Sequence, residues 1–317
     1  MTYLTDDAVY LASTAHDEFP AAHFSTELPF TKVMGATDLV RLGLDHGSLA
    51  DGAETRLPGT VVNQFALDEF DGYLRVAVTV TDTTASGWVT DPTMLVLDHE
   101  LKAVGVLSGL AANETIQSVR FLGDVAYMVS FLQVDPLFAI DLSDPTKPKV
   151  MSELKIPGFS SYLHPWSAGL LLGLGSDGTE VGPTGTLKLS MFDTSDPAHV
   201  SEAATLKVAF TDAEALRNHR AVLVDEARGL LGFAASSTTT GMHYLLYRWE
   251  GSTFLPVADL PGTDAAEMAV DGPSPVRGLT VDDHLYVVSG AGVDVYSASS
   301  SLAGGLDRVR AVAFDEG

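Results

Sequence analysis

SVRFLGDVAYMVSFLQVDPLFAIDLSDPTKPKVMSELKIPGFSSYLHPW, residues Ser118–Trp166, holds four short apolar runs in a row: Ser118–Leu122, Val125–Ser130, Leu137–Asp141 and Val150–Lys155. Gly123-Asp124 separates the first two runs and Ser143-Asp144-Pro145 the last two. β-Branched and aromatic runs this short, broken by Gly, Asp and Pro, predict strands and leave no room for a helix. Asp and Pro suit the opening positions of a β-turn and Gly tolerates positive φ, so turn chemistry supplies the register. The stretch reads as one up-and-down, four-stranded antiparallel sheet.

The rest of the chain repeats that unit. A strand ending in an acidic residue and a turn recurs as LGLDHG (Asp45), MLVLDHE (Asp98), LFAIDLSDP (Asp141) and LSMFDTSDP (Asp193). LLYRWEG near Trp249 and VDVYSAS near Tyr296 take the same place. The spacing of roughly 43 to 56 residues is that of propeller blades. The preceding strand recurs too, as Ala8–Thr14, Gly72–Val80, Val125–Phe131, Gly169–Gly175, Gly229–Ala235 and His284–Gly290. Near-continuous apolarity there implies burial on both faces, between neighbouring sheets. In front of each lies a further strand whose side chains would edge a central channel.

The expected fold is therefore all-β: a single β-propeller domain over residues 1–317 with about six four-stranded antiparallel blades, at 1–60, 61–110, 111–157, 158–211, 212–262 and 263–317. The first blade shows no innermost strand before Ala8, which leaves its completeness open. His16–Thr37, with Pro20 and Pro29, and the Gly-rich Ser176–Gly185 read as surface loops between strands. Helical turns are expected only at Thr211–Arg217 and Ala265–Val270.

Composition bounds the function. The 317 residues are 46% apolar with positive mean hydropathy, which excludes a disordered chain. No apolar run approaches the ~20 residues of a membrane helix, so no membrane insertion is expected. MTYLTDDAVYLAST has neither a basic n-region nor an apolar h-region, so no signal peptide is expected in this chain. Forty-two acidic against 18 basic residues give a formal charge of −24, a surface that repels nucleic acid and attracts cations or basic partners. With no cysteine, the chain offers no disulfide, thiol nucleophile or thiolate metal site.

VNQFALDEFDGYLRV, SVRFLGDVAYMVSF, VDPLFAIDLSDPTKP, ELKIPGFSSYLHPW and LKLSMFDTSDP together resemble the bacterial and archaeal secreted β-propeller family distantly related to WD repeats. The resemblance is close over residues 58–317 and looser before. It implies a propeller fold and an extracellular or cell-surface setting, and little chemistry. The family pattern carries an export signal and further blades upstream, so a longer precursor stays open. Its YDHKAF-like segment corresponds here to Arg217-Asn218-His219-Arg220-Ala221-Val222, which keeps His219 but has Asn218 for the acidic neighbour. A site needing a carboxylate at that position is weakened.

At roughly matching places along the innermost strands stand Asp68, Glu69, Arg120, His164, His219 and Arg277. In a propeller they would converge at one mouth of the channel. Such a ring would hold an anionic small molecule, Arg supplying forked donors. Alternatively the same groups ion-pair across the channel and tie blades together. His164 and His219 with a carboxylate would suit a divalent metal, although no short ligand motif such as HExxH supports one. The pairs Asp141/Asp144 and Asp193/Asp196 read as turn caps before Pro145 and Pro197, since calcium needs six or more oxygens. Trp88, Trp166 and Trp249 read as packing residues. Ser160 and Ser161 near His164 lack a nucleophile elbow.

The leading expectation is a binding or interaction module without catalysis or a cofactor, for an unidentified small molecule or a protein or cell-surface partner. A metal-assisted hydrolase or oxidoreductase using His164 and His219 is the alternative from another class. A third is a structural array of blades completed by an upstream segment or a partner chain.

Overall fold

The computed structural model describes residues 1–20, 32–84, 87–131, 135–179, 182–262, 276–297 and 306–314. In chain order, β1 (Thr2–Leu4), β2 (Ala8–Pro20), β3 (Lys32–Asp45) and β4 (Ser48–Pro58) pair antiparallel, each with the next. β5 (Leu67–Phe70), β6 (Tyr73–Thr84), β7 (Gly87–Leu97) and β8 (Ala103–Leu107) repeat the arrangement. So do β9 (Thr115–Leu122), β10 (Val125–Phe131), β11 (Asp135–Asp141) and β12 (Lys149–Ile156). β13 (Phe159–Ser167), β14 (Leu170–Thr179), β15 (Gly182–Asp193) and β16 (Ser201–Val208) form the fourth group. In the fifth, β17 (Asp212–Ala213) and β18 (Val222–Asp225) both pair with β19 (Leu230–Ser237), and β20 (Gly241–Trp249) and β21 (Phe254–Pro261) follow. β22 (Arg277–Val281), β23 (His284–Val288), β24 (Gly292–Ser297) and β25 (Asp307–Ala313) make the last. We number these groups blades 1 to 6.

Local chemistry makes the hairpins. Asp71 and Gly72 both have positive φ (52° and 79°), the type I′ geometry that matches strand twist and joins β5 to β6. Gly123 (φ 58°) opens the turn from β9 to β10 and Asp282 (φ 48°) that from β22 to β23. The recurring acid at the end of the third strand has a structural task. Asp98 Oδ1 accepts the N–H groups of Glu100 and Lys102, both at 2.9 Å, and Asp141 Oδ1 accepts that of Ser143 at 2.9 Å. Asp144 and Asp196 likewise accept the backbone N–H two residues on. These carboxylates cap turns, as the sequence implied.

The core lies between successive blades. Blades 1 and 2 share Tyr10, Leu39, Val76 and Leu95, and blades 2 and 3 share Met94, Val96, Met128 and Ile140. Blades 4 and 5 share Leu172, Leu189, Phe233 and Tyr247, and blades 5 and 6 share Leu230, Tyr244, Leu246 and Leu285. Alternate residues of one strand thus serve two cores, which explains the near-continuous apolar second strands. The chain divides into two compact units, each described by itself: residues 1–159 with 180–182 and 194–200, and residues 160–179 with 183–193 and 201–317.

Four expectations need correction. Blade 1 has an innermost strand before Ala8: β1, too short to show alternation, is held by the Met1 ammonium on Ala12 O (2.7 Å) and Ala12 N–H on Met1 O (2.9 Å). His16–Thr37 is not a loop, because β2 runs to Pro20 and β3 starts at Lys32; Pro29 and the tip lie outside the described residues. Ser176–Thr179 and Gly182–Gly185 are likewise strand. Pairing beyond the blade proper stabilises the first extension: Val33 pairs with Asp82 and Met34 with Thr81, joining blades 1 and 2 through β3 and β6. Gly59 makes room nearby, since with φ 78° a Cβ there would stand 2.2 Å from Thr79 O. The helical turn expected at Thr211–Arg217 is present, as a 3-10 turn at Glu214–Leu216 followed by another at His219–Ala221, while Ala265–Val270 lies outside the described residues. Finally, Trp88 is 69% exposed on β7, whereas Trp166 and Trp249 are buried.

Candidate functional site

Register decides where the six candidate residues point. Asp68 pairs with Arg75 and Arg120 with Tyr127, each the third pair from its hairpin turn, so these two occupy one equivalent position. Arg277 pairs with Val288, the fifth pair in blade 6. His219 sits in a 3-10 turn ahead of β18 and not on an innermost strand. The match between blades is thus looser than the sequence implied. Asp68, Glu69 and Arg120 belong to the first unit, and His164, His219 and Arg277 to the second.

In the first unit the candidates are largely engaged in structure. Arg75, buried on β6, donates to Asp68 Oδ2 through Nε (2.9 Å) and a terminal nitrogen, and to Gly123 O in the next blade at 2.6 Å. Its guanidinium stands 4.6 Å from the Phe70 ring centroid and 5.0 Å from that of Phe121. Asp68 is therefore one half of a brace between blades 2 and 3. Arg120 is buried with its guanidinium carbon 3.4 Å from the Phe65 ring centroid, a stacked cation–π contact. Glu69 accepts from Thr5 Oγ1 at 2.9 Å and lies 3.9 Å from Arg41, which donates to Tyr10 Oη at 3.2 Å. Burial pushes the Tyr10 phenol up to about 12, and it stays a neutral hydroxyl.

The second unit gathers a denser set. Arg277 forks onto Glu214, with NH1 on Oε2 at 2.8 Å and NH2 on Oε1 at 2.7 Å, and NH1 also reaches Val276 O at 2.9 Å. Asn218 Nδ2 donates to Glu214 Oε1 at 2.7 Å, while its Oδ1 accepts from Arg220 N–H and caps the 3-10 turn bearing His219. The hydrogen bonds from Arg277 are the main cause that holds the Glu214 carboxyl below the usual range, against the opposing pull of burial. β22 lies against the His219 turn, so His219 and Arg277 share this neighbourhood. Arg217 forks onto Asp212 at 2.7 and 2.9 Å. His164 is half-buried on β13, its Nδ1 2.9 Å from Tyr162 Oη.

The carboxylate that Asn218 fails to supply is present after all, from Glu214 four residues earlier. Its only sequence signal was an acid preceding the RNHR segment by one helical turn. Arg75, Tyr10 and Arg41 were missed because they sit in strands read as core. Among the described residues no group of three or more His, Asp or Glu side chains is placed to hold a metal ion. Ser160 is buried.

Comparison with known proteins agrees with the architecture. An uncharacterized protein of Archaeoglobus fulgidus is 35% identical over 294 residues, covering 91% of this chain and 42% of that protein. One of Methanocaldococcus jannaschii is 40% identical over 190 residues, covering 60% of this chain and 29% of that protein. The chain thus spans less than half the length of these curated relatives. Among solved structures, a europium-containing methanol dehydrogenase superposes with a TM-score of 0.56 at 9% identity, covering 93% of this chain and 62% of that one. A protein from Lactobacillus plantarum gives 0.51 at 9% identity, covering 99% and 83%. At such identities the likeness concerns fold alone. The family described as Beta propeller domain matches residues 1–301, and with its four-stranded antiparallel blades this chain belongs to that family.

Proposed function

We propose that this propeller is a non-catalytic binding module, working outside the cell, that takes a small anionic ligand beside Arg277 in its second unit. The extracellular setting rests on the resemblance noted from the sequence. The ligand class rests on one observation: a chain of net charge −24 concentrates Arg217, His219, Arg220 and Arg277 around a single 3-10 turn. Glu214 orients Arg277 by taking one N–H from each of its terminal nitrogens; the Nε–H and one terminal N–H have no partner among the described residues. Arg220 is exposed and its guanidinium has no partner among them either. Forked donors in this state suit a carboxylate or phosphate.

Titration calorimetry with citrate and with inorganic phosphate tests the proposal. Binding of at least one probe is expected, weakened about tenfold or more in Arg277→Gln and in Arg220→Ala, as for a lost charge-assisted hydrogen bond. Absence of binding by both anions, or affinity unchanged in both variants, rejects it.

A further inference from the structure

Of the three tryptophans only Trp88 is exposed, in the first unit, where β6 and β7 run on past the blade proper. Directly paired residues on neighbouring strands share a face, so register shows what stands around it. Trp88 pairs with Thr83, and Thr90 with Thr81. Thr81 pairs in turn with Met34 of β3, and Met34 with Glu18 of β2. Trp88 therefore shares one face of a four-stranded platform with Thr81, Thr83 and Thr90. Main-chain pairing makes that platform rigid, and alternate residues along each strand stand about 7 Å apart. Asn113 lies at the β7 edge, its N–H on Thr90 O at 2.7 Å.

The polar groups of this face are unused. The indole N–H of Trp88, the hydroxyls of Thr81 and Thr90 and the side-chain amide of Asn113 have no hydrogen-bond partner among the described residues, and Thr83 Oγ1 is buried without one. A hydroxyl both donates and accepts, and an amide does so between its two ends. The charges at the margin cancel, because Glu18 and Lys32 pair with one another. A broad apolar ring beside uncharged groups that hydrogen-bond in both directions matches a neutral carbohydrate, which has an apolar C–H face and a rim of hydroxyls. A lipid surface or an apolar peptide would instead leave the threonines and Asn113 desolvated and unpaired. The net charge of −24 opposes an acidic polysaccharide. We propose that this face is a glycan site: one sugar ring of a neutral oligosaccharide stacks on Trp88, and its hydroxyls pair with Thr90, Thr81 and Asn113.

Calorimetric titration with maltohexaose, cellohexaose, xylohexaose, mannohexaose and chitohexaose provides the test, with acrylamide quenching of tryptophan fluorescence alongside. At least one of these sugars is expected to bind and to shield Trp88, since Trp166 and Trp249 are already buried. Trp88→Ala is expected to weaken that binding about tenfold or more, the stacking surface being gone. Trp88→Phe keeps a smaller ring and recovers part of the loss. Thr90→Val preserves shape but removes the hydroxyl, for a loss of about fivefold. Trp88 is exposed, so its replacement leaves the core untouched and the comparison is made on folded protein. Absence of binding by all of these sugars overturns the proposal, as does an affinity unchanged in Trp88→Ala. Adsorption to phosphatidylcholine vesicles that needs Trp88, without sugar binding, overturns it too and makes the face a lipid contact.

Discussion

Tyr244 Oη shows what packing costs at a single atom. The phenol is wedged between blades 5 and 6, where a Cβ at Gly232 would stand 2.4 Å from it and one at Gly278 only 1.7 Å. The hydroxyl is buried with no hydrogen-bond partner among the described residues, and burial raises its pKa well above the ordinary tyrosine value. An unsatisfied buried hydroxyl costs about 1–3 kcal/mol. Tyr244→Phe is therefore expected to stabilise the protein by about 1 kcal/mol in denaturant titration; a destabilised variant would mean that the hydroxyl has a partner. Glu214 gives a prediction of opposite character. Its folded pKa is lowered chiefly by Arg277, so its contribution to stability is present above the unfolded glutamate value of about 4.3. That contribution is lost as pH falls through the lowered folded value. The difference in melting temperature between the unaltered chain and Glu214→Gln should be largest near neutrality and vanish in acid.

Between elements, the brace of Arg75 is the clearest cross-link in the first unit. It ties β5 to the turn that follows β9 while stacked between Phe70 and Phe121. Arg75→Met keeps the stem but leaves Asp68 without its cation, and a loss of about 3 kcal/mol is expected, at the low end for a broken buried pair because Asp68 keeps some access to water. Chemical denaturation measures it, and a change within experimental error would show the brace to be ornamental. These elements also show what the sequence could and could not reveal. Hairpins were legible wherever a local rule made them, as at Asp71-Gly72 and at Asp141 with Ser143. What escaped depended on partners far away in the chain. β1 exists because of Ala12 and Leu11, and the extension of β3 exists because of Thr81 and Asp82. The site suffered in the same way: His219 looked like part of a strand, and Glu214 gained its meaning only from Arg277, 63 residues on.

For the whole molecule, the excess of acid shapes how copies meet. At −24 each chain repels its neighbours at low ionic strength, and added salt screens that repulsion. The hydrogen bonds between β3 and β6 have a consequence of another kind. Neither of the first two blades is able to open locally without breaking main-chain bonds that belong to its neighbour, so the two share one cooperative step of unfolding. A repeat array is commonly pictured as a string of equal links; this one holds a double link, soldered through the backbone itself.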